Sequence, residues 1–134
     1  MKSTTSTYQI EWQGKSLAAI DQLMAKIPIA GVIDSLNWKE QYPAAPATTF
    51  TLAHTDEMLY VRFEVKDEVP LATKTTDLEL VNEDACVEMF IGNADNTRYW
   101  NFEFNPAGVC NASNRKERKV DVVRLNAEQL ASIQ

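Results

Sequence analysis

The chain has 134 residues, 45% of them hydrophobic, which is enough for one domain with its own core. Its formal net charge of −6 argues against nucleic acid and anionic membranes as partners. No apolar run approaches the length of a membrane-spanning helix, and the N-terminus lacks the apolar core of a signal peptide. We therefore expect a protein that is cytoplasmic, or secreted with its signal removed before this numbering begins.

The first part of the chain predicts one strand and one helix. Apolar and polar side chains alternate over residues 8–12, which indicates a short strand. Ser16 is placed to cap a helix that runs to Lys26, because the apolar residues after Ser16 have helical spacing. Pro28 stops the helix. We interpret its apolar side as core packing rather than as a partner surface.

The middle of the chain predicts strands separated by irregular segments. Residues 30–48 contain glycine and prolines and predict an irregular segment with at most one helical turn. A strand begins at Phe50, and residues 59–65 have the clearest alternation of apolar and polar side chains in the chain. A polar, irregular link follows at 67–79.

Residues 83–106 have the sequence pattern of a β-hairpin, in which two apolar runs flank a turn-rich loop. Successive side chains on a strand point to opposite sides of the sheet. Directly opposed residues share a face, so the simplest register pairs Ile91 with Trp100 and matches apolar with apolar. The hairpin then has an apolar face and a polar face. On the polar face we place Glu88, Tyr99, Asn101, Glu103 and Asn105.

This polar face has the chemistry needed to bind a polyhydroxylated ligand, because carboxylates and amides bond hydroxyls and aromatic rings stack on them. If the 59–65 strand lies beside the hairpin in one sheet, Arg62 joins the face and Tyr60 offers a second ring. Arg62 can then offset Glu88 and Glu103, which oppose each other in this register. The predicted ligand-binding residues are Arg62, Glu88, Tyr99, Asn101, Glu103 and Asn105. The alternative is a solvated, ion-paired sheet face whose domain contacts another protein.

Beyond the hairpin, residues 111–119 predict a basic loop, 120–125 a strand, and 127–133 a helix capped by Asn126. The R-K-E-R-K run at 115–119 is either a docking patch or, as we favour, a solvated part of the loop.

The residue types present give little support for catalysis. The single histidine, His54, lies in a predicted turn, and no G-x-S-x-G motif occurs. Glu88 and Glu103 could form the acid pair of a glycosidase, but their opposition requires only a group that offsets the repulsion. We therefore predict that the protein is not an enzyme.

Two further features concern cysteines and metals. Cys86 and Cys110 are predicted to be free thiols, because the hairpin register sets them too far apart for a disulfide. We predict no cofactor, with calcium as an open alternative, since oxygen-rich loops can hold Ca²⁺. The acidic residues that could bind it are Asp67, Glu68, Asp77, Glu79, Glu83 and Asp84.

Several of these segments resemble the family 9 carbohydrate-binding modules and their bacterial relatives. The runs are I-D-S-L-N-W (33–38), L-Y-V-R-F-E-V-K-D (59–67), E-D-A-C-V-E-M-F-I (83–91) and Y-W-N-F-E-F-N-P-A-G (99–108). The most specific part is the D-x-C-V-E and N-F-E-F-N pair. The resemblance implies a non-catalytic β-sandwich that binds a sugar, typically clamped between two tryptophans. Here Val81 and Asn82 stand where relatives commonly carry a ring.

The predicted fold is mainly β, an antiparallel, jelly-roll-like sandwich with one or two short helices, in which residues 1–134 form a single domain. Family members usually have further strands after the position of Leu125. The chain is then either a fragment, truncated at its C-terminus, or covered by a second chain. We expect a homodimer or larger assembly. Its partner would cover the face that holds Leu59, Val61, Phe63, Met89 and Phe102.

Overall fold

The computed structural model describes residues 5–14, 16–67 and 69–133. The chain divides into two compact units, Met1–Glu68 and Val69–Gln134, and each contains one four-stranded sheet. One of the predicted calcium ligands, Glu68, lies outside the described residues.

The described residues of unit 1 form four strands and one helix. Their bounds are β1 (Tyr8–Gln9), α1 (Leu17–Met24), β2 (Gly31–Ile33), β3 (Ala47–His54) and β4 (Leu59–Lys66). Strand β3 pairs with all the others. It runs antiparallel to β4 along the full length of both strands, and it pairs antiparallel with β2 and parallel with β1. The strand predicted for residues 59–65 is therefore confirmed as β4.

Helix α1 begins where the sequence predicts. Ser16 is its N-cap, and the Ser16 hydroxyl accepts a hydrogen bond of 3.3 Å from the backbone N–H of Ala19. The helix ends at Met24, two residues before the predicted end at Lys26, and Met24 is its buried residue. The short strand predicted for residues 8–12 is confined to β1.

Strand β2 lies where the sequence analysis predicted an irregular segment. Val32 and Ile33 are β-branched and favour the extended backbone, but the segment is too short to give a clear alternation. Gly31 faces Phe50 in the ladder. A Cβ atom at position 31 would lie 2.7 Å from the Phe50 ring, so only glycine lets the two strands approach here.

Unit 2 is a four-stranded antiparallel meander followed by a short helix. Its elements are a 3₁₀ turn (Val81–Glu83), β5 (Val87–Gly92), β6 (Tyr99–Phe104), β7 (Cys110–Arg115), β8 (Val123–Arg124) and α2 (Ala127–Leu130). The sheet order is β5-β6-β7-β8. The predicted hairpin is confirmed as β5 and β6, with Ile91 opposite Trp100 and Glu88 opposite Glu103.

Strand β7 corrects the sequence analysis, which predicted a basic loop over residues 111–119. The strand pairs with β6 along its whole length and lies inside the sheet. One face of the strand carries Asn111, Ser113 and Arg115, and the other carries Cys110, Ala112 and Asn114. Asn is depleted in strands and Ser is not enriched in them, so the sequence pattern did not indicate a strand here. Strand β8 is likewise shorter than the strand predicted for residues 120–125.

The core of unit 2 lies on the apolar face of its sheet. Phe102 and Phe104 pack against it from β6. The predicted helix cap is confirmed, because the side chain of Asn126 and that of Gln129 form a reciprocal capping box. The buried members of this core are Cys110, Ala112, Leu125 and Leu130.

The predicted fold class is confirmed: the described residues form eight strands in two sheets and two short helices, so the protein is mainly β, as expected for a β-sandwich. Among the strands that the structure describes, the parallel pairing of β1 with β3 is the one departure from an antiparallel arrangement. That residues 1–134 form a single domain stays a prediction. No helix among the described residues is long and apolar enough to cross a membrane.

Candidate functional site

One face of the unit 2 sheet collects most of the predicted ligand-binding residues. Each residue of β6 on this face has partners on both neighbouring strands. Glu103 lies between Glu88 and Asn111, and the two other β6 residues are Asn101 and Tyr99. We call this the polar face and define it by Glu88, Phe90, Tyr99, Asn101, Glu103, Asn111, Ser113 and Arg115.

The two opposed carboxylates of the polar face have different surroundings. Glu103 is 6% exposed, and its Oε2 accepts a 2.8 Å hydrogen bond from Asn111 Nδ2. Glu88 is exposed, and partial burial together with the charge of Glu103 raises its pKa above the ordinary value. Arg115 and Arg118 oppose this increase in pKa but do not cancel it. The exposed carboxylate is thus the one that remains available to a ligand.

Arg115 offsets the carboxylate pair. Its Nη2 lies 3.8 Å from Glu103 Oε1, and its Nε donates a 2.6 Å hydrogen bond to Ser113 Oγ. The side chain is 20% exposed. These contacts hold the guanidinium on the polar face, and its remaining N–H groups can donate to a ligand. The sequence analysis missed Arg115 because it placed this residue in a loop.

Arg62 does not have the position that the sequence analysis gave it. That prediction required β4 to lie beside the hairpin in one sheet, whereas β4 belongs to the sheet of unit 1. Arg62 Nε is 2.8 Å from Asp21 Oδ1, and its Nη1 is 2.9 Å from Glu64 Oε2. Tyr60 lies on the same strand and is equally absent from the polar face. We therefore do not include Arg62 or Tyr60 in the site.

Two aromatic rings flank the polar side chains. Phe90 is 58% exposed, and its ring centroid lies 5.8 Å from that of the half-buried Tyr99. Trp100 faces the opposite side and stacks on Phe102 at 6.4 Å, as its position in the pattern predicts. The sequence analysis did not select Phe90 as a site residue. Phe90 lies two residues after Glu88 and therefore on the same face of the strand, which was the signal that could have identified it.

The centre of the polar face is buried. Asn101 is 1% exposed and Asn111 is 5% exposed. Within the described residues, neither Asn101 Nδ2 nor Asn111 Oδ1 has a hydrogen-bond partner. Buried polar atoms of this kind are uncommon in folded proteins. Asn101 and Glu103 therefore form a buried layer, and the exposed Glu88 and Phe90, with the partly exposed Arg115, lie where a ligand can reach them.

Asn105 organises the loop next to the sheet. Its Nδ2 donates to Lys74 O at 2.8 Å and to Asp84 Oδ2 at 2.9 Å. Its Oδ1 accepts from the backbone N–H groups of Ala107 and Val109, both at 3.0 Å. This side chain is occupied by contacts within the protein, and we assign it a structural role.

Cys86 lies next to the polar face as a free thiol, and Cys110 is also free, as predicted. The Cys86 Sγ is 3.9 Å from Glu88 Oε1. Burial and the charge of Glu88 raise the pKa of Cys86 to about 11, so the thiol is protonated at neutral pH.

Asp77 and Asp84 are among the acidic residues that the sequence analysis considered as calcium ligands. In the part of the chain that the structure describes, no three His, Cys, Asp or Glu side chains come together to hold a metal ion. Asp84 accepts hydrogen bonds from Thr73, Lys74 and Asn105, and Asp77 accepts one from the Cys110 backbone. Burial alone would raise the pKa of Asp84, but these hydrogen bonds outweigh it and lower the pKa well below its usual range.

The fold and the polar face together define a small, mainly β protein in which one sheet presents rings beside carboxylates, amides and a guanidinium. Residues 18–133 match the sequence profile of carbohydrate-binding family 9, and the chain belongs to that family. The resemblance seen in the motifs is thereby confirmed.

A solved structure has the same fold. It is the crystal structure of a "putative carbohydrate-binding protein" from Bacteroides uniformis ATCC 8492, with 27% sequence identity and a TM-score of 0.82. The similarity covers 96% of this chain and 60% of that one, so this chain spans less than two thirds of its relative's length. No curated protein sequence matches the chain.

Proposed function

We propose that the protein binds carbohydrate on the polar face and does not catalyse a reaction. The observation that carries the proposal is the exposed ring of Phe90 beside the exposed carboxylate of Glu88. A ring stacks on the C–H face of a sugar, and a carboxylate accepts hydrogen bonds from its hydroxyls. Membership of a carbohydrate-binding family supports this class of ligand.

The exposed and buried residues have different roles in this proposal. Phe90 and Tyr99 form the stacking surface, Glu88 accepts from hydroxyls, and Arg115 donates to them. The buried residues Asn101 and Glu103 position the others. Since the two buried residues are 1% and 6% exposed, their substitution would disturb the fold and would not report on binding alone.

The carboxylate pair supports binding rather than hydrolysis. A glycosidase needs both carboxyl groups next to the scissile bond. Glu103 is instead buried, hydrogen-bonded to Asn111 and close to Arg115. Only Glu88 is open to solvent, which suits a single contact with a hydroxyl.

The proposal is tested first with a glycan array and then by calorimetric titration with the sugar that binds. Phe90→Ala and Glu88→Gln should each weaken binding by about tenfold or more, because each removes a direct contact. Trp38→Ala is the matched control, since this ring is 67% exposed and lies in unit 1. Unchanged affinity in both polar-face variants, or a loss only in Trp38→Ala, would place the sugar elsewhere.

A further inference from the structure

Strand β4 has an open edge. Its eight residues pair with β3 from one end to the other. Among the described residues, no second strand pairs with β4, and no turn or loop forms a backbone hydrogen bond to it. The outward-facing N–H and C=O groups of such a strand form a template for pairing with another chain.

Charges on β4 would ordinarily discourage such pairing. Arg62 and Glu64 lie on one face of the strand, two residues apart and opposite in sign. Val61, Phe63 and Val65 lie on the other face. Like charges placed opposite each other destabilise a strand pair, whereas opposite charges stabilise it. The effect of the charges therefore depends on which residues of the second strand they face.

We propose that β4 pairs antiparallel with β4 of a second copy of this chain, about a two-fold axis at Phe63. Arg62 of each copy then lies opposite Glu64 of the other, which gives two ion pairs on one face of the joined sheet. On the other face Phe63 meets its own copy, and Val61 of each copy meets Val65 of the other. The contact is isologous, as expected for a two-fold dimer.

Neighbouring registers lack this complementarity. A two-fold axis perpendicular to the sheet keeps each side chain on its own face, so the axis can move only from one residue to the next. An axis at Arg62 places the two copies of Arg62 opposite each other. An axis at Glu64 places the two copies of Glu64 opposite each other and also sets Arg62 opposite Lys66. Of these three axes, only the one at Phe63 sets both Arg62 and Glu64 opposite a residue of opposite charge. An axis at Val65 would set Glu64 opposite Lys66, but within β4 it pairs only residues 64–66 of each copy.

The monomer's own contacts leave Arg62 able to make this pair. Arg62 uses its Nε for Asp21 and its Nη1 for Glu64 of the same copy. Its side chain is 27% exposed, and that of Glu64 is 49% exposed. A guanidinium has five N–H donors, so Arg62 can donate hydrogen bonds to Glu64 of its own copy and to Glu64 of the other copy. The homodimer predicted from the sequence required an apolar face to be covered, whereas this contact uses a strand edge.

A charge swap tests the proposal by light scattering and sedimentation at micromolar concentration. The unchanged chain should dimerise. Arg62→Glu and Glu64→Arg should each raise the dimer dissociation constant by at least about tenfold, because like charges then face each other twice. The double variant, Arg62→Glu with Glu64→Arg, should restore dimerisation. A monomeric unchanged chain, or a double variant as monomeric as the single ones, would overturn the proposal.

Disulfide trapping tests the register independently. The background carries Cys86→Ser and Cys110→Ala, and its folding is checked by circular dichroism. Phe63→Cys should form a disulfide-linked dimer on mild oxidation, because residue 63 faces its own copy. Val65→Cys is the control, since residue 65 faces residue 61 and should remain a thiol. Efficient cross-linking of Val65→Cys and not of Phe63→Cys would contradict the two-fold axis.

Discussion

Glu88 and Glu103 lie directly opposite each other on neighbouring strands, and among the described residues Glu103 alone of the two has a cation within 4 Å. That cation is Arg115. The pair is therefore asymmetric: one carboxylate is buried beside Arg115, and the other is exposed with a raised pKa. This asymmetry makes the contributions of the two residues separable by experiment.

Glu88→Gln should increase the free energy of unfolding at neutral pH. Burial and Glu103 raise the pKa of Glu88 in the folded state above its ordinary value of 4.5, so the charged form is disfavoured by folding. For wild type this penalty disappears as the pH falls through the folded pKa towards the unfolded one. The advantage of Glu88→Gln should thus shrink as the pH approaches 4.5. Urea titrations of both proteins across pH 4–8 measure it, and a difference that grows on acidification would contradict the sign.

Arg115→Ala should destabilise the protein by about 1–3 kcal/mol, since it leaves the buried Glu103 without a cation and removes the hydrogen bond to Ser113. Arg118→Ala is the control, because Arg118 is exposed and has no ion pair among the described residues. Chemical denaturation at neutral pH compares them. Equal losses of stability would mean that Arg115 has no special role.

Phe102→Ala and Phe90→Ala remove the same ring from opposite faces of one hairpin. Phe102 packs against the core of unit 2, so its loss should lower the free energy of unfolding by roughly 2–4 kcal/mol. Phe90 is 58% exposed, and its loss should change stability by less than about 1 kcal/mol. Thermal and urea unfolding give both values. A larger effect at Phe90 would show that the faces are reversed.

Asn105→Ala should lower the free energy of unfolding by at least about 2 kcal/mol, because it leaves several buried backbone and side-chain partners without a hydrogen bond. Asn82→Ala provides the comparison, as Asn82 is exposed.

Asn105→Ala should also make the fold less resistant to acid. Hydrogen bonds keep the pKa of Asp84 low, so the stability that Asp84 contributes is lost as the pH falls below about 4. Asn105→Ala should shift this loss to higher pH, which an acid titration of the fold would detect.

The hairpin register could be predicted from the sequence because only one alignment sets apolar residues opposite apolar ones, and Ile91 opposite Trp100 follows from it. The neighbour of the hairpin could not be predicted. Two strands, β4 and β7, were possible, and β7 has few residues of high strand propensity. For the same reason the sequence analysis named Arg62 as the cation beside the carboxylate pair, whereas the structure has Arg115 there.

The sequence pattern also could not predict that the polar residues are buried. Alternation tells which side chains share a face, but it does not tell which face other parts of the chain cover. Asn101 was expected to be open to a ligand and is 1% exposed. Phe90, by contrast, was on the correct face in the pattern but was not recognised as an exposed ring.

The buried polar layer formed by Asn101, Glu103, Asn111 and Ser113 has a consequence for heat capacity. Exposing apolar surface raises the heat capacity of unfolding, and exposing polar surface lowers it. Unfolding this sheet exposes amides, a hydroxyl and a carboxylate from its interior, so its increment should fall below the usual value of about 12–15 cal/mol/K per residue. A smaller increment flattens the dependence of stability on temperature. The sheet should therefore lose less stability on cooling than one whose interior is wholly aliphatic.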